Sequence, residues 1–209
     1  MVAAIVPRYE YRIFGNDLAQ YENKIKALSK EELTRKMDSI YLLTAWKRKN
    51  NVKIREGVMD IKNLDKEYKG LQQWNPFLVG EFPLPASVIK TVVFPALGIE
   101  SPVFARKSYT LKQFLNEIVS VDPDLAVSYV WKTRHAYTVN DCITEIAEIK
   151  VNGTSIKTIC IEAEDPKKVL AAKEMLGMNN KLENVSYPLA MKRIMGLAPL
   201  PDNWNNIEF

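Results

Sequence analysis

Residues 51–62 carry the pattern that most constrains the fold of this chain. Charged and apolar side chains alternate strictly on both sides of the pair Glu56-Gly57. Because successive side chains of a strand point to opposite faces, this alternation predicts a β-hairpin with one apolar and one charged face. Two interpretations of the charged face are open: a solvated sheet surface, or one wall of a groove that binds a polyanion. The charged residues of this face are Lys53, Arg55, Asp60 and Lys62.

The same alternation recurs on other predicted strands, at residues 5–14, 125–139, 141–151 and 155–164. On any one strand it usually marks the outward face of an ordinary antiparallel sheet. Taken together, the charged faces contain few uncharged polar residues, which favours a closed barrel with a charged interior and helices covering its apolar wall. The cations of this set are Arg8, Arg12, Lys53, Arg55, Lys62, Lys132 and Arg134, and the carboxylates are Glu10, Asp60, Glu145, Glu162 and Glu164.

The other segments predict helices and loops. A helix is expected from Leu18 to about Met37, with Ser29 and Glu32 as a capping box in its second half, and a strand at residues 40–48. Residues 64–85 contain several Gly and Pro breakers, so we expect mostly loop there. Further helices are predicted at residues 86–97, after the N-caps Thr110 and Asp165, and at residues 187–195.

Length and composition limit the classes of function. The 209 residues suit one domain at residues 1–196, followed by a loosely packed tail at residues 197–209. The net charge of +4 without a long Lys/Arg block predicts no specific nucleic-acid partner. No apolar run reaches the roughly 18 residues of a membrane span, so no membrane partner is expected.

Cysteine and histidine usage limits the chemistry. The two cysteines lack metal-ligand spacing, which favours reduced thiols in a cytoplasmic protein. The single histidine argues against a catalytic triad and against a metal site built from histidines. Any metal is therefore expected on carboxylates, which favours Mg²⁺ or Mn²⁺.

A barrel interior with these charges suits phosphate chemistry. Converging Lys and Arg side chains match a chain of phosphates, because guanidinium groups bind phosphate oxygens in pairs. Carboxylates at one end would hold a divalent metal that polarises the terminal phosphorus or lowers the pKa of a bound water. No nucleophilic side chain is needed for such a reaction.

On these residues the chain resembles the CYTH superfamily, the triphosphate tunnel metalloenzymes. The opening Glu-x-Glu-x-Lys strand of that family is matched by Arg8-Tyr9-Glu10-Tyr11-Arg12, with Arg8 in the place of the first Glu. The other matching segments, in order, are Lys53 with Arg55, Asp60-Ile61-Lys62, Lys132-Thr133-Arg134, Glu145 and Ile161-Glu162-Ala163-Glu164.

The resemblance implies an α+β fold: a closed antiparallel eight-stranded β-barrel, the triphosphate tunnel, with helices packed outside. It also implies a metal-dependent hydrolase of a small triphosphate-containing substrate, with Mg²⁺ or Mn²⁺ as cofactor. The implied roles are catalysis by Glu10, Arg12, Lys62 and Glu145, phosphate binding by Arg8, Arg12, Lys53, Arg55, Lys62, Lys132 and Arg134, and metal binding by Glu10, Glu145, Glu162 and Glu164.

Two other functions stay open at the level of sequence. A barrel of the same kind would serve as a non-catalytic module that captures polyphosphate or a nucleotide, and Arg8 in the place of a metal ligand favours this alternative. A structural or protein-interaction barrel with its charges facing solvent is the third possibility. A homodimer is compatible with all three.

Overall fold

The computed structural model describes residues 6–46, 49–178 and 182–200. Ten strands form in the described residues: β1 (Tyr9–Gly15), β2 (Leu33–Leu43), β3 (Asn50–Arg55), β4 (Val58–Tyr68), β5 (Leu71–Glu81), β6 (Leu84–Pro85), β7 (Ser108–Tyr109), β8 (Ala126–Val139), β9 (Cys142–Val151) and β10 (Thr154–Ala163). Eight of them close into an antiparallel barrel in the order β1-β10-β9-β8-β2-β3-β4-β5, and β5 pairs with β1 again. The predicted α+β fold with an eight-stranded barrel is confirmed.

Five helical segments accompany the barrel in the described residues. They are α1 (Ala19–Leu28), α2 (residues 86–97), α3 (residues 111–119), α4 (Pro166–Met175) and α5 (Tyr187–Ile194). The segments α2 and α3 each contain a π-helical stretch. Helices α1 and α4 pack on the outside of β1, β9 and β10, whereas α2 and α3 pack on the outside of β2, β3 and β4.

The hairpin at residues 51–62 shows how the alternation separates the two faces of the wall. Val52 and Ile61 pair across β3 and β4 and are buried in the apolar cluster under α2 and α3. Full burial of one such side chain stabilises the fold by about 1.5–3 kcal/mol. Their chain neighbours Lys53 and Asp60 pair on the opposite face, inside the barrel. The predicted charged interior and helix-covered wall are therefore both present.

Helix α5 closes one end of the barrel. Ser186 caps its N-terminus by accepting a hydrogen bond from the backbone N–H of Leu189, and Pro188 occupies the first turn. Tyr187 and Met191 of this helix pack against inward-facing apolar residues of the strands, among them Tyr41, Val130 and Ile149. The barrel interior is thus divided into an apolar plug at this end and a polar cavity above it.

Two predictions about residues 18–48 are wrong. Helix α1 ends at Leu28 with Ser29 as its C-cap, so the capping box of Ser29 with Glu32 does not form. Strand β2 begins at Leu33, and its eleven residues all pair with β8. The hydrogen bonds of that long ladder outweigh the local helical preference of the charged residues at its start. The predicted strand end at residues 47–48 lies outside the described residues.

The prediction of loop at residues 64–85 is also wrong. Strand β4 continues to Tyr68, and a tight turn through Lys69 and Gly70 leads into β5. Pro76 lies within β5 but pairs with Lys62 beside a register shift. A proline lacks the backbone N–H that a regular ladder needs, and an irregularity of this kind tolerates it.

The helices predicted at residues 86–97, after Thr110 and Asp165, and at residues 187–195 are confirmed. Thr110 forms a capping box with Gln113. Of the predicted tail, Leu197 packs on the plug around α5, and residues 201–209 lie outside the described residues. The extent of the domain, residues 1–196, stays a prediction. In the described part of the chain, no helix combines the length and apolarity needed to cross a membrane.

Candidate functional site

A polar cavity of about 200 Å³ lies inside the barrel above the plug. Six of the predicted cations line it, together with three of the predicted carboxylates. The cations are Arg12, Lys53, Arg55, Lys62, Lys132 and Arg134, and the carboxylates are Glu10, Glu145 and Glu162. Six of the eight barrel strands thus place charge in this cavity, and the other two, β2 and β5, line it with uncharged residues. The excess of positive charge favours an anion in this cavity on electrostatic grounds.

Glu145 is the shared counter-ion of three cations. Its Oε1 lies 3.0 Å from Arg12 NH1, and its Oε2 lies 2.7 Å from Arg134 Nε and 3.6 Å from Lys132 Nζ. Burial alone would raise the pKa of Glu145, but the charges of Arg12, Lys132 and Arg134 hold that pKa to about 2. Glu145 is therefore ionised throughout the physiological range and already bound to protein cations.

Asp60 neutralises the charge of the hairpin. Its Oδ2 lies 3.1 Å from both Lys53 Nζ and Arg55 NH2. Burial lowers the pKa of Lys53 to about 8, although the neighbouring carboxylate of Asp60 opposes the shift. An arriving anion favours the charged form of Lys53, so ligand binding is expected to raise this pKa.

Lys62 is the cation most available to a ligand. It lines the cavity, and among the described residues it has no ion-pairing carboxylate. Its charge contributes to lowering the pKa of Lys53, after burial and the opposing effect of Asp60. Two like charges that face one cavity favour the entry of a polyanion that satisfies both.

Glu10 and Glu162 form a carboxylate pair at the cavity wall. They are direct cross-strand partners on β1 and β10 and both line the cavity. Burial, followed by the charge of Glu10, raises the pKa of Glu162. Two partly buried carboxylates that repel each other are the donor set that a divalent cation relieves.

Arg8 is an ion-pair partner of this carboxylate pair. Its NH1 lies 3.5 Å from Oε1 of Glu162, and its side chain is 45% exposed just before β1. Arg8 does not line the cavity itself, so the structure places it at the rim. The described residues contain no group of three or more His, Cys, Asp and Glu side chains placed to hold a metal ion.

The floor of the cavity is aromatic. The ring of Tyr187 stacks on Tyr41 with centroids 5.8 Å apart. Arg12 and Lys132 lie above the ring of Tyr187, at 4.6 and 5.1 Å from its centroid. Cation–π contacts of this kind hold both cations at the floor and point their charge into the cavity. The hydroxyl oxygen of Tyr187 is buried and has no hydrogen-bond partner in the described residues.

Besides Arg8, three charged residues selected from the sequence lie elsewhere or are already engaged. Glu164 follows the last residue of β10, is exposed, and is not among the residues that line the cavity. Asp60 and Glu145 are bound to protein cations. The sequence reasoning did not select Tyr41, Asn51, Trp74 or Tyr187 as site residues, and their inward parity on the strands is the signal that identifies all but Tyr187.

The closed eight-stranded barrel with its charged interior has the fold that the sequence resemblance implied. Among solved structures, the chain is similar to the adenylyl cyclase candidate HpAC1 of Hippeastrum, which is described as having a dominant triphosphatase activity. The two are 17% identical, the alignment covers 93% of this chain and 98% of that chain, and the TM-score is 0.52.

Two other solved structures have a lower TM-score. The PH1012 protein of Pyrococcus horikoshii is 14% identical, with 86% of this chain and 97% of that chain aligned and a TM-score of 0.48. An adenylate cyclase candidate of Bacillus halodurans is 10% identical, with 94% and 95% aligned and a TM-score of 0.46. No protein-family model and no curated protein sequence matches the chain. At these identities the likeness concerns the fold alone.

Proposed function

We propose that this protein binds the triphosphate group of a small substrate inside the barrel and hydrolyses it with the help of a divalent metal. The observation that carries the proposal is the convergence of six cations on one blind cavity of about 200 Å³. Small-molecule sites usually measure about 300–1,000 Å³. The smaller volume suits a chain of phosphates, with any attached group projecting through the open end.

The cations on the different walls of the cavity bind different parts of the phosphate chain. Lys62, Lys53 and Arg55 bind phosphate oxygens along one wall, and Arg12, Lys132 and Arg134 bind them along the other wall and at the floor. In phosphoryl transfer, positioned cations neutralise the charge that develops on the departing phosphate. Glu145 keeps three of these cations in place and does not itself contact the substrate, so we propose a positioning role for it.

The carboxylate pair of Glu10 and Glu162 fits one divalent metal that is shared with the substrate. Mg²⁺ is commonly held by one or two carboxylates together with substrate phosphates, whereas a site made of protein ligands alone needs more donors. Bound there, Mg²⁺ or Mn²⁺ would supply a Lewis acid for the phosphate oxygens. We assign Glu145 and Glu164 no part in holding it. Glu145 is bound by three cations, whereas Glu10 and Glu162 each pair with one, and Glu164 lies outside the cavity.

Phosphate release tests this function. Purified protein with Mg²⁺ or Mn²⁺ is expected to release phosphate from at least one of inorganic triphosphate, nucleoside triphosphates and thiamine triphosphate. Glu162→Gln is expected to abolish the metal-dependent part, whereas Glu164→Gln keeps it. Absence of turnover with every substrate, together with thermal stabilisation by triphosphate, would contradict hydrolysis and support the non-catalytic binding module, which the Arg8–Glu162 ion pair favours.

Replacing Arg8 with glutamine is expected to strengthen Mn²⁺ binding in the absence of substrate by up to about fivefold. The reason is that Arg8 is a partly exposed cation at 3.5 Å from Glu162, and exposed ion pairs contribute about 0.2–1 kcal/mol. Titration of protein-bound Mn²⁺ by electron paramagnetic resonance measures the affinity. Arg35→Gln, which removes an exposed arginine paired with Glu56, is the control. Equal affinity in wild type and Arg8→Gln would show that Arg8 does not compete with the metal.

We further propose that the protein acts in the cytoplasm on a small phosphorylated molecule, without a nucleic-acid or membrane partner. Cys142 and Cys160 are free and buried, and burial raises the pKa of both thiols. Buried thiols of raised pKa are inert, which agrees with a reducing compartment and with no catalytic role for either cysteine.

A further inference from the structure

Part of the outer barrel wall carries exposed aromatic side chains. Trp131 and Tyr129 on β8 are 56% and 45% exposed, and their rings stack with centroids 6.4 Å apart. They point away from the cavity, because their neighbours Val130 and Lys132 line it. Large exposed aromatic residues in contact with one another are typical of association surfaces.

The charges around Trp131 follow a regular pattern set by the strand register. Asp38 on β2 and Lys150 on β9 are the cross-strand partners of Trp131, one on each side. In the next row, Lys36 and Glu148 are the partners of Thr133 in the same way. The row of Trp131 is therefore negative on the β2 side and positive on the β9 side, and the row of Thr133 has the opposite order of charges. We call these residues the outer charged face: Lys36, Asp38, Trp131, Thr133, Glu148 and Lys150.

The outer charged face is open. Lys36, Asp38, Glu148 and Lys150 are all exposed, and among the described residues none of them has an ion-pair partner within 4 Å, although Glu148 lies opposite Lys157 on β10. The residues surround a shallow depression of about 430 Å³. An aromatic centre with a rim of charge is the usual composition of a protein–protein contact.

We propose that the outer charged face is a self-association surface that joins two copies of this chain. A two-fold axis that is parallel to β8 and lies between the two copies places the outer charged face of one copy against that of the other. The residues on the β2 side of one copy then lie opposite the residues on the β9 side of the other copy. Asp38 then faces Lys150 of the other copy, Lys36 faces Glu148, and Trp131 faces Trp131. All four charges meet an opposite charge, which is the self-complementarity that an isologous interface requires. The cavity lies on the other side of the wall, so both copies keep an open site.

Sedimentation equilibrium over a dilution series tests the proposal. The wild-type chain is expected to form a concentration-dependent dimer. Trp131→Ala is expected to weaken dimerisation by about 30-fold or more, the effect of removing a central aromatic residue of an interface. Phe77→Ala is the matched control, because Phe77 is 57% exposed on β5, on the opposite side of the barrel. A monomer at every concentration, or a dimer that Trp131→Ala leaves unchanged, would overturn the proposal.

A charge exchange tests the pairing itself. Asp38→Lys alone places like charges opposite each other and is expected to dissociate the dimer. The double variant Asp38→Lys with Lys150→Glu restores opposite charges about the axis parallel to β8, and the dimer is expected to return. The double variant Asp38→Lys with Lys36→Asp restores opposite charges only for a two-fold axis that lies between the copies and is perpendicular to β8. Recovery only in the variant with Lys36→Asp, or in neither double variant, would overturn the proposal.

Discussion

Replacing Glu145 with glutamine is expected to lower the free energy of unfolding by about 3–5 kcal/mol, the usual cost of breaking a buried ion pair. Glu145 is 5% exposed and is the counter-ion of Arg12, Lys132 and Arg134. Its loss leaves Lys132 and Arg134 without their carboxylate partner and leaves Arg12 with Glu10 alone, at 3.4 Å. Urea unfolding at neutral pH measures the change.

Two controls separate this effect from a general loss of packing. Glu164→Gln removes an exposed carboxylate just beyond β10 and is expected to change the free energy of unfolding by no more than about 0.5 kcal/mol. Inorganic triphosphate supplies the missing negative charge, so it is expected to stabilise Glu145→Gln more than wild type. Equal stabilisation of the two proteins by triphosphate would contradict a shared site for Glu145 and the ligand.

The same residue predicts a pH dependence. Burial raises the pKa of Glu145, but the charges of Arg12, Lys132 and Arg134 outweigh it and lower the pKa from its ordinary 4.5 to about 2. Because the folded-state pKa is the lower one, this stabilisation is complete above the unfolded-state pKa and is lost as the pH falls towards 2. A shift of this size corresponds to about 3 kcal/mol. Unfolding at a series of pH values is expected to show this loss in wild type and to lack it in Glu145→Gln.

Replacing Lys62 with methionine is expected to weaken the binding of inorganic triphosphate by about 10- to 100-fold. A charged hydrogen bond contributes about 1.5–3 kcal/mol, and Lys62 offers its full charge because no described carboxylate pairs with it. Methionine keeps the apolar stem, so the change removes charge and little packing. Isothermal titration calorimetry at fixed ionic strength measures the affinity.

Stability distinguishes this variant from one that merely damages the fold. Removal of Lys62 leaves no carboxylate without a partner and relieves its repulsion of Lys53, so the free energy of unfolding is expected to stay equal or rise. Lys66→Met is the matched control, since Lys66 is exposed further along the same strand. If Lys66→Met weakens binding as much as Lys62→Met, the loss reflects net charge and the proposed phosphate contact is wrong.

The local alternation of side chains was enough to predict which residues share a face of each strand. Lys53 and Arg55, Lys132 and Arg134, and the pair Glu10 and Arg12 each lie two positions apart, and each pair lines the cavity. Strand geometry fixes this outcome within a few residues, because period two is a property of the extended backbone itself. The helix N-caps Thr110 and Asp165 could also be predicted from local sequence, because the side chain of each forms its capping hydrogen bond within the first turn of its own helix.

The pairing of strands that lie far apart in the chain could not be predicted from local sequence. Strand β2 overrides a helical pattern because it pairs with β8, about a hundred residues away, and β5 accepts Pro76 because its ladder with β4 is irregular at that point. Local propensity contains no information about a partner strand, so both segments were assigned wrongly.

The sequence alone determined which side chains share one face of a strand, and the family resemblance in their order predicted a barrel with a charged interior. The tertiary structure decided which charges remain available. Register places Glu145 among three cations, brings Glu10 opposite Glu162, and ends β10 before Glu164. The physical reason is that an ion pair depends on distances between residues far apart in the chain, such as Arg12 and Glu145, and those distances exist only once the barrel has closed.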